Sequence, residues 1–358
     1  MMLVAMLLVG LGVALVRDER DRRAQSARRR QARRFGLAPG ESPAEGVRRM
    51  ALGQLDEAIE LLEGERGRTV TAAAVHDTRK ALKRLRALVR TLRPELGEQA
   101  YARENAILRG CARRLAGVRD AEVMVGTLDD LLARNREQLA HLGAVRRLRA
   151  QFAGERDRAQ RHVLTDSANL AQTASELRVV RERVAGWQLS GRGMRVCEPG
   201  LRRLYRQGRR RYERARRRPE DGRALHLWRK RVKDLRYAAE MLERGPTEDA
   251  TGASDRHGDG RARARSKQAR WLRGVARRAD ELGELLGEEH DLAVLAERVR
   301  AADEPFAHAA GARRTLLKLI ARRRRRLRKR ALRAGERLYR RRPKAFVRRT
   351  RRAYAAQK

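Results

Sequence analysis

Six side chains able to carry positive charge recur at steps of three or four along one stretch: His76, Arg79, Lys83, Arg86, Arg90 and Arg93. At about 100° per residue they share one arc of about 100° on a helix. Val75, Leu82, Leu85, Val89 and Leu92 take the adjacent arc, not the opposite one. Cations that only keep a helix soluble face away from the core, so a stripe beside the apolar seam must line a groove or cavity between helices. One charge per turn, about 5.4 Å apart, suits a flexible linear anion charged along its length. Arginine brings forked donors for phosphate oxygens and lysine a compact point charge. Histidine donates a hydrogen bond when neutral and adds charge when protonated.

The pattern occurs twice. "VHDTRKALKRLRALVRTL" (75–92) aligns without a gap on "LHLWRKRVKDLRYAAEML" (225–242). His76, Arg79, Lys80, Lys83 and Arg86 thereby meet His226, Arg229, Lys230, Lys233 and Arg236. The second set flanks Leu225, Trp228, Val232, Leu235 and Leu242, and Glu240 and Glu243 end it early. A second pair follows in the same order, "LAGVRDAEV" (115–123) and "LGEEHDLAV" (286–294). Single arginines in so basic a chain read as solvated surface, but a spacing kept twice points to use. Weaker candidates are Arg202, Arg206 and Arg209 on "LYRQGRRRYERARRR", and Lys318, Arg322 and Arg325 on "TLLKLIARRRRRLRKR". Asp120 and Asp291 recur too, but an acid would repel a polyanion. Pairing with arginine or capping a helix is their expected role.

The elements that carry these residues read as α-helix almost throughout, since prolines are rare and apolar residues return every three or four positions. Breaks are expected at 34–46, 63–69, 186–200 and 244–260, the last a Gly-, Asp- and Ser-rich loop. The repeat implies two helical bundles, residues 35–190 and 191–358, behind a segment 1–34. That segment opens on 16 apolar residues, "MMLVAMLLVGLGVALV", about 24 Å as a helix and short of the roughly 20 residues a bilayer core needs. It lacks a charged n-region, and it reads equally as a membrane anchor or as a mis-assigned start; the body is expected in the cytoplasm under both.

The chain holds 88 Lys and Arg against 45 Asp and Glu, a formal +43, with 41% hydrophobic residues to build a core. Such charge calls for an anionic partner: nucleic acid, an acidic membrane surface or a polymeric phosphate. Cys111 and Cys197 have no metal-ligand spacing and read as reduced thiols without function.

The repeated helix resembles the signature of the CHAD family, the conserved histidine α-helical domain, His-x-x-Arg-Lys-x-x-Lys-x-Leu-Arg. "HDTRKALKRLR" from His76 and "HLWRKRVKDLR" from His226 both match it. The later elements resemble the family's Leu-Gly-x-x-Arg-Asp-x-x-Val, with Ala116 for Gly in one and His290 for Arg in the other. The similarity extends over about residues 35–352. It implies an all-α fold of two pseudo-symmetric four-helix bundles around a basic channel that binds inorganic polyphosphate, often in association with polyphosphate granules. It implies no catalysis, and the residues themselves suggest no metal site and no cofactor.

Two other classes compete. His76-Asp77 and His290-Asp291 look like metal-binding doublets of phosphohydrolases, but Asp77 matches Leu227 and His290 matches Arg119, so neither survives the repeat. The Glu-x-Glu-x-Lys strand of an attached triphosphate tunnel enzyme is missing, since Glu63 and Glu65 sit at a helix end before Gly67. Nucleic acid is the stronger rival, because backbone contacts need only charge. Single-strand binders add aromatic platforms; aromatics are 4% of this chain, and Trp228 lies in the apolar stripe, where a core role is expected.

Overall fold

The computed structural model describes residues 34–38, 40–64, 70–243 and 260–356, with the side chains of 118, 119, 164 and 260–269 excepted. The apolar segment 1–16, the basic linker up to residue 33 and most of the expected break at 244–260 lie outside them. The fold is all-α: the described residues are 86% helix, with no strand among them. In order come α1 (Pro43–Glu63), α2 (Ala72–Arg114), α3 (Gly117–Arg134), α4 (Arg136–Leu139), α5 (Gly143–Thr165), α6 (Ser167–Ala185), α7 (Glu198–Arg217), α8 (Gly222–Met241), α9 (Gly260–Ala301), α10 (Ala310–Tyr339) and α11 (Pro343–Ala355). Among the described residues no helix is long and apolar enough to cross a membrane.

Local chemistry starts the helices where the repeat requires. The side chain of Thr71 accepts from the Ala74 amide at 3.1 Å, and that of Asp221 from the Ala224 amide at 2.9 Å. These caps stand at equivalent positions, four residues before Val75 and Leu225, so both signature helices begin in the same register. Ser42 and Glu45 form a capping box ahead of α1, with Pro43 in its first turn. The first signature helix runs on past its repeat and bends at Gly97, whose φ of 75° only glycine adopts without strain, three residues after Pro94.

Two cores form. The larger joins α1, α2, α6, α7, α8, the first half of α9, the end of α10 and α11. The smaller joins α3, α4 and α5 to the second half of α9 and the first half of α10. Each takes residues from both sides of residue 190, and α9 and α10 run through both. Repeated elements pack on their counterparts: α2 on α8, which carry the two signatures, and α3 on α9, which carry the Asp120 and Asp291 elements. Trp228 is fully buried in the larger core, as its place in the apolar stripe requires. At the crossing of α2 and α7, a side chain on Gly200 would run into the Thr91 carbonyl, so glycine sets that approach.

Candidate functional site

On α2 the stripe divides between solvent and interior. His76, Lys80 and Lys83 are exposed. Arg79 donates to the Leu115 carbonyl and lies 4.0 Å from Asp120, the pairing expected of that acid. Arg86 reaches only the Asn105 amide oxygen, at 3.5 Å. Burial, and then the neighbouring Arg90 charge, lower its pKa to about 10. Arg90 is committed elsewhere: it donates to Asp234 on α8 at 2.8 Å, an ion pair in which both side chains are largely buried.

On α8 the same residue types meet other neighbours. Arg229 and Lys233 line a groove of about 1130 Å³ between α8, α9, α3 and α10. Gly287 leaves room for Arg229, whose Nη2 would lie 3.5 Å from an added Cβ. Burial, followed by the Arg229 charge, pushes the Lys233 pKa down. Arg236 is held by Glu240 at 2.7 Å and by Asp280. His226 packs on His290, and Lys230 is exposed beside a further cavity of about 540 Å³ with Arg210, Arg211 and Arg231.

The large groove is not purely basic. Arg134, Arg229, Lys233, Arg323, Arg330, Arg333 and Arg337 line it together with Asp130, Asp280, Glu281, Glu284, Glu288, Asp291 and Glu336. The two sets balance formally, and Arg323 is bonded to Glu288 at 2.6 Å. A polyanion entering here competes with carboxylates already in place.

The α7–α8 surface contrasts with it. Adjoining cavities of about 450, 540 and 310 Å³ are lined by Arg210, Arg211, Arg214, Arg217, Arg218, Arg223, Lys230 and Arg231, with Glu213 the sole acid among the lining residues. Arg231 is tied to Asp234 at 3.0 Å and to Gln207, and Glu213 to Arg209 at 3.0 Å. The other arginines of this face make no side-chain hydrogen bond or ion pair among the described residues.

The weaker candidates stand apart from the groove. Arg202 and Arg206 are exposed, and Arg209 is occupied by Glu213 and the Arg341 carbonyl. Lys318, Arg322 and Arg325 are exposed on α10, whereas that helix gives the groove Arg323, Arg330, Arg333 and Arg337. Three of those recur every seven residues beside the buried seam of Ile320, Leu327, Ala331 and Leu338. The adjacency that marks the α2 stripe, applied to α10, finds them. Asp291 lines the groove, and Cys111 and Cys197 are buried free thiols.

A family model described as the CHAD domain matches residues 53–253, which take in both signature helices and stop before "LGEEHDLAV". Among solved structures, the chain is similar to the CHAD domain from the plant Ricinus communis. That crystal structure has 16% sequence identity and a TM-score of 0.52, and the alignment covers 85% of this chain and 94% of that one. At that identity the likeness speaks for the fold. No curated protein matches the chain.

Proposed function

The chain belongs to the CHAD family, a family associated with polyphosphate binding, and on that premise we propose that it binds inorganic polyphosphate across its paired signature helices. The supporting observation is a set of partly buried cations crowded by like charge. Arg86 and Lys233, on the two packed copies, both have lowered pKa values because they are buried and crowded by other cations. Charge held under those conditions costs folding free energy in the free protein. An anionic chain laid along α2 and α8 returns it, whereas a neutral ligand does not. The unpaired arginines of α7 and the exposed His76, Lys80 and Lys230 extend the same track. Asp130, Glu281 and Glu284 line the large groove beside Arg229 and Lys233 and oppose the ligand there by like charge.

In this reading the chain is a binder with no catalysis of its own, cytoplasmic and able to associate with polyphosphate granules. Binding stabilises the fold by mass action, so the melting temperature rises with polyphosphate concentration. The rival is backbone binding of nucleic acid. It finds little support in base stacking, because Trp228, Tyr205 and Tyr339 are spent in the core.

The deciding experiment is a competition titration at physiological salt. Labelled long-chain polyphosphate is bound to the protein and challenged with single- and double-stranded DNA at matched phosphate concentration. Poor displacement is the expected result. Displacement of one phosphate by one would reduce the site to diffuse charge attraction and favour nucleic acid.

A further inference from the structure

Where α8 packs on α9, the ring of His226 lies against that of His290, with centroids 4.5 Å apart and planes inclined at 40°. His226 belongs to the repeated signature. His290 stands where the first copy of its own element has Arg119, so this chain carries an ionisable ring at a position that holds fixed charge in the other half. Nδ1 of His226 is shielded from solvent and has no hydrogen-bond partner among the described residues. The charged groups facing the two rings are Arg229 and Lys230 on α8, Arg324 on α10 and Asp120 on α3. Arg324 is itself bonded to Glu289 at 2.9 Å, and Asp120 is mostly exposed, 4.0 Å from Arg79.

We propose that His226 and His290 act as one proton-accepting pair, and that polyphosphate binding against α8 is coupled to proton uptake by that pair. The inference deepens the polyphosphate reading and rests on it. In the free protein burial comes first in disfavouring charge on both rings, followed by His290 and then Lys230 and Arg229 for His226 and by Arg229 and Lys230 for His290, and the His226 pKa falls to about 4. The pair is therefore neutral at pH 7. Phosphoryl oxygens at Arg229 and Lys230 reverse the sign of the local field, which favours the protonated form. Rings in contact titrate as a unit, so uptake is about one proton, the second being opposed by the first.

The sign follows from linkage. A complex that holds more protons than its free components binds more tightly as pH falls. For one proton the gain is at most about tenfold per pH unit, between the pKa of the pair in the complex and its lower value in the free protein. An arginine at position 290 would bind without this dependence.

The test is calorimetric titration of the full chain at pH 6, in two buffers of different ionisation enthalpy. The probes are long-chain polyphosphate and polyvinyl sulfate, a polymer with no titrating group in this range. Wild type should take up about one proton per site. His290→Arg and His290→Asn should take up none, the first binding with little change between pH 5.5 and 8. His76→Asn should lower affinity but keep the uptake per bound polymer. Equal uptake by wild type and His290→Asn would overturn the pair. Failure of polyphosphate to bind, with polyvinyl sulfate binding and taking up protons, would instead overturn the functional reading and leave the pair standing. Absence of binding by either polymer would sink both.

Discussion

The two copies of the signature carry the same residues and occupy different electrostatic settings. On α2, His76, Lys80 and Lys83 face solvent, and Arg86 has no carboxylate bonded to it. On α8, His226 is pressed on His290, Lys233 faces an acid-lined groove and Arg236 is fastened to Glu240 and Asp280. The first copy has Arg84 where the second has Asp234. Arg84 covers Phe35 and donates to Gln54, while Asp234 grips Arg90 across the contact between the two helices. The difference teaches that a motif specifies which groups are presented, whereas the neighbours decide whether those groups bind a ligand or hold the fold. The first copy leaves more of its cations exposed, and the second spends more of them on structure.

The largest test breaks the link between the copies. Asp234 is 7% exposed and lies 2.8 Å from Arg90 and 3.0 Å from Arg231. Asp234→Ala leaves two half-buried guanidiniums without their acid, a loss of about 3–5 kcal/mol. Urea denaturation should show that fall in midpoint with the slope unchanged. A loss below about 1 kcal/mol, the range of exposed pairs, would mean that Asp234 does not hold α2 on α8. A smaller effect of the same kind is expected at Gly200, where Gly200→Ala forces α7 off the Thr91 carbonyl at about 2–3 kcal/mol.

Arg86 and Arg236 occupy the same motif position and sharpen the contrast most directly. Arg86→Met removes a desolvated, unpaired cation. The free protein should keep or gain stability, while polyphosphate affinity falls about tenfold, or about 1.4 kcal/mol. Arg236→Met should do the reverse, costing about 1–2 kcal/mol of stability and changing affinity by less than about twofold, a small fraction of a tenfold step. Equal losses of affinity from the two variants would erase the asymmetry.

Much of this was legible in sequence because it is periodic. The helical class, the gapless repeat and the burial of Trp228 all follow from apolar spacing, and the caps at Thr71 and Asp221 share the repeat's register. What stayed hidden depends on contacts between residues far apart in the chain. Arg90 sits in the stripe like its neighbours, and only the packing of α2 on α8 brings it to an acid 144 positions away. The acids of the groove arrive from α3, α9 and α10, so no window of sequence contains them. On α10 the arginines are so dense that Lys318, Arg322 and Arg325 form as plausible a face as Arg323, Arg330 and Arg337, and the seam beside the latter decides between them. The proximity of His226 to His290 depends likewise on how α8 lies on α9.

The groove acids offer a subtler change. Glu284 is exposed at the groove, and its charge favours the protonated form of Lys233. Glu284→Gln removes one repulsive charge from a polyanion's path and should tighten binding about two- to fivefold at low salt, fading as salt screens the site. An unchanged affinity at low salt would place the bound chain outside the groove, on α2 and α7 alone.

The smallest expected effect compares Lys80 with Lys230, exposed lysines at matching positions. Replacing either with alanine removes one phosphate contact and should reduce the slope of log affinity against log salt by about 0.7, the value for a single-stranded polyanion. Lys230 differs in also facing the histidine pair, whose neutral state its charge helps to maintain. Lys230→Ala should therefore lessen proton uptake on binding, because part of the pair's charging is then available to the free protein, whereas Lys80→Ala should leave uptake as it was. Matching slopes with different uptakes would show two copies equal as phosphate contacts and unequal as proton couplers. A change in uptake from Lys80→Ala would instead place His76, four residues before it, in the proton balance as well.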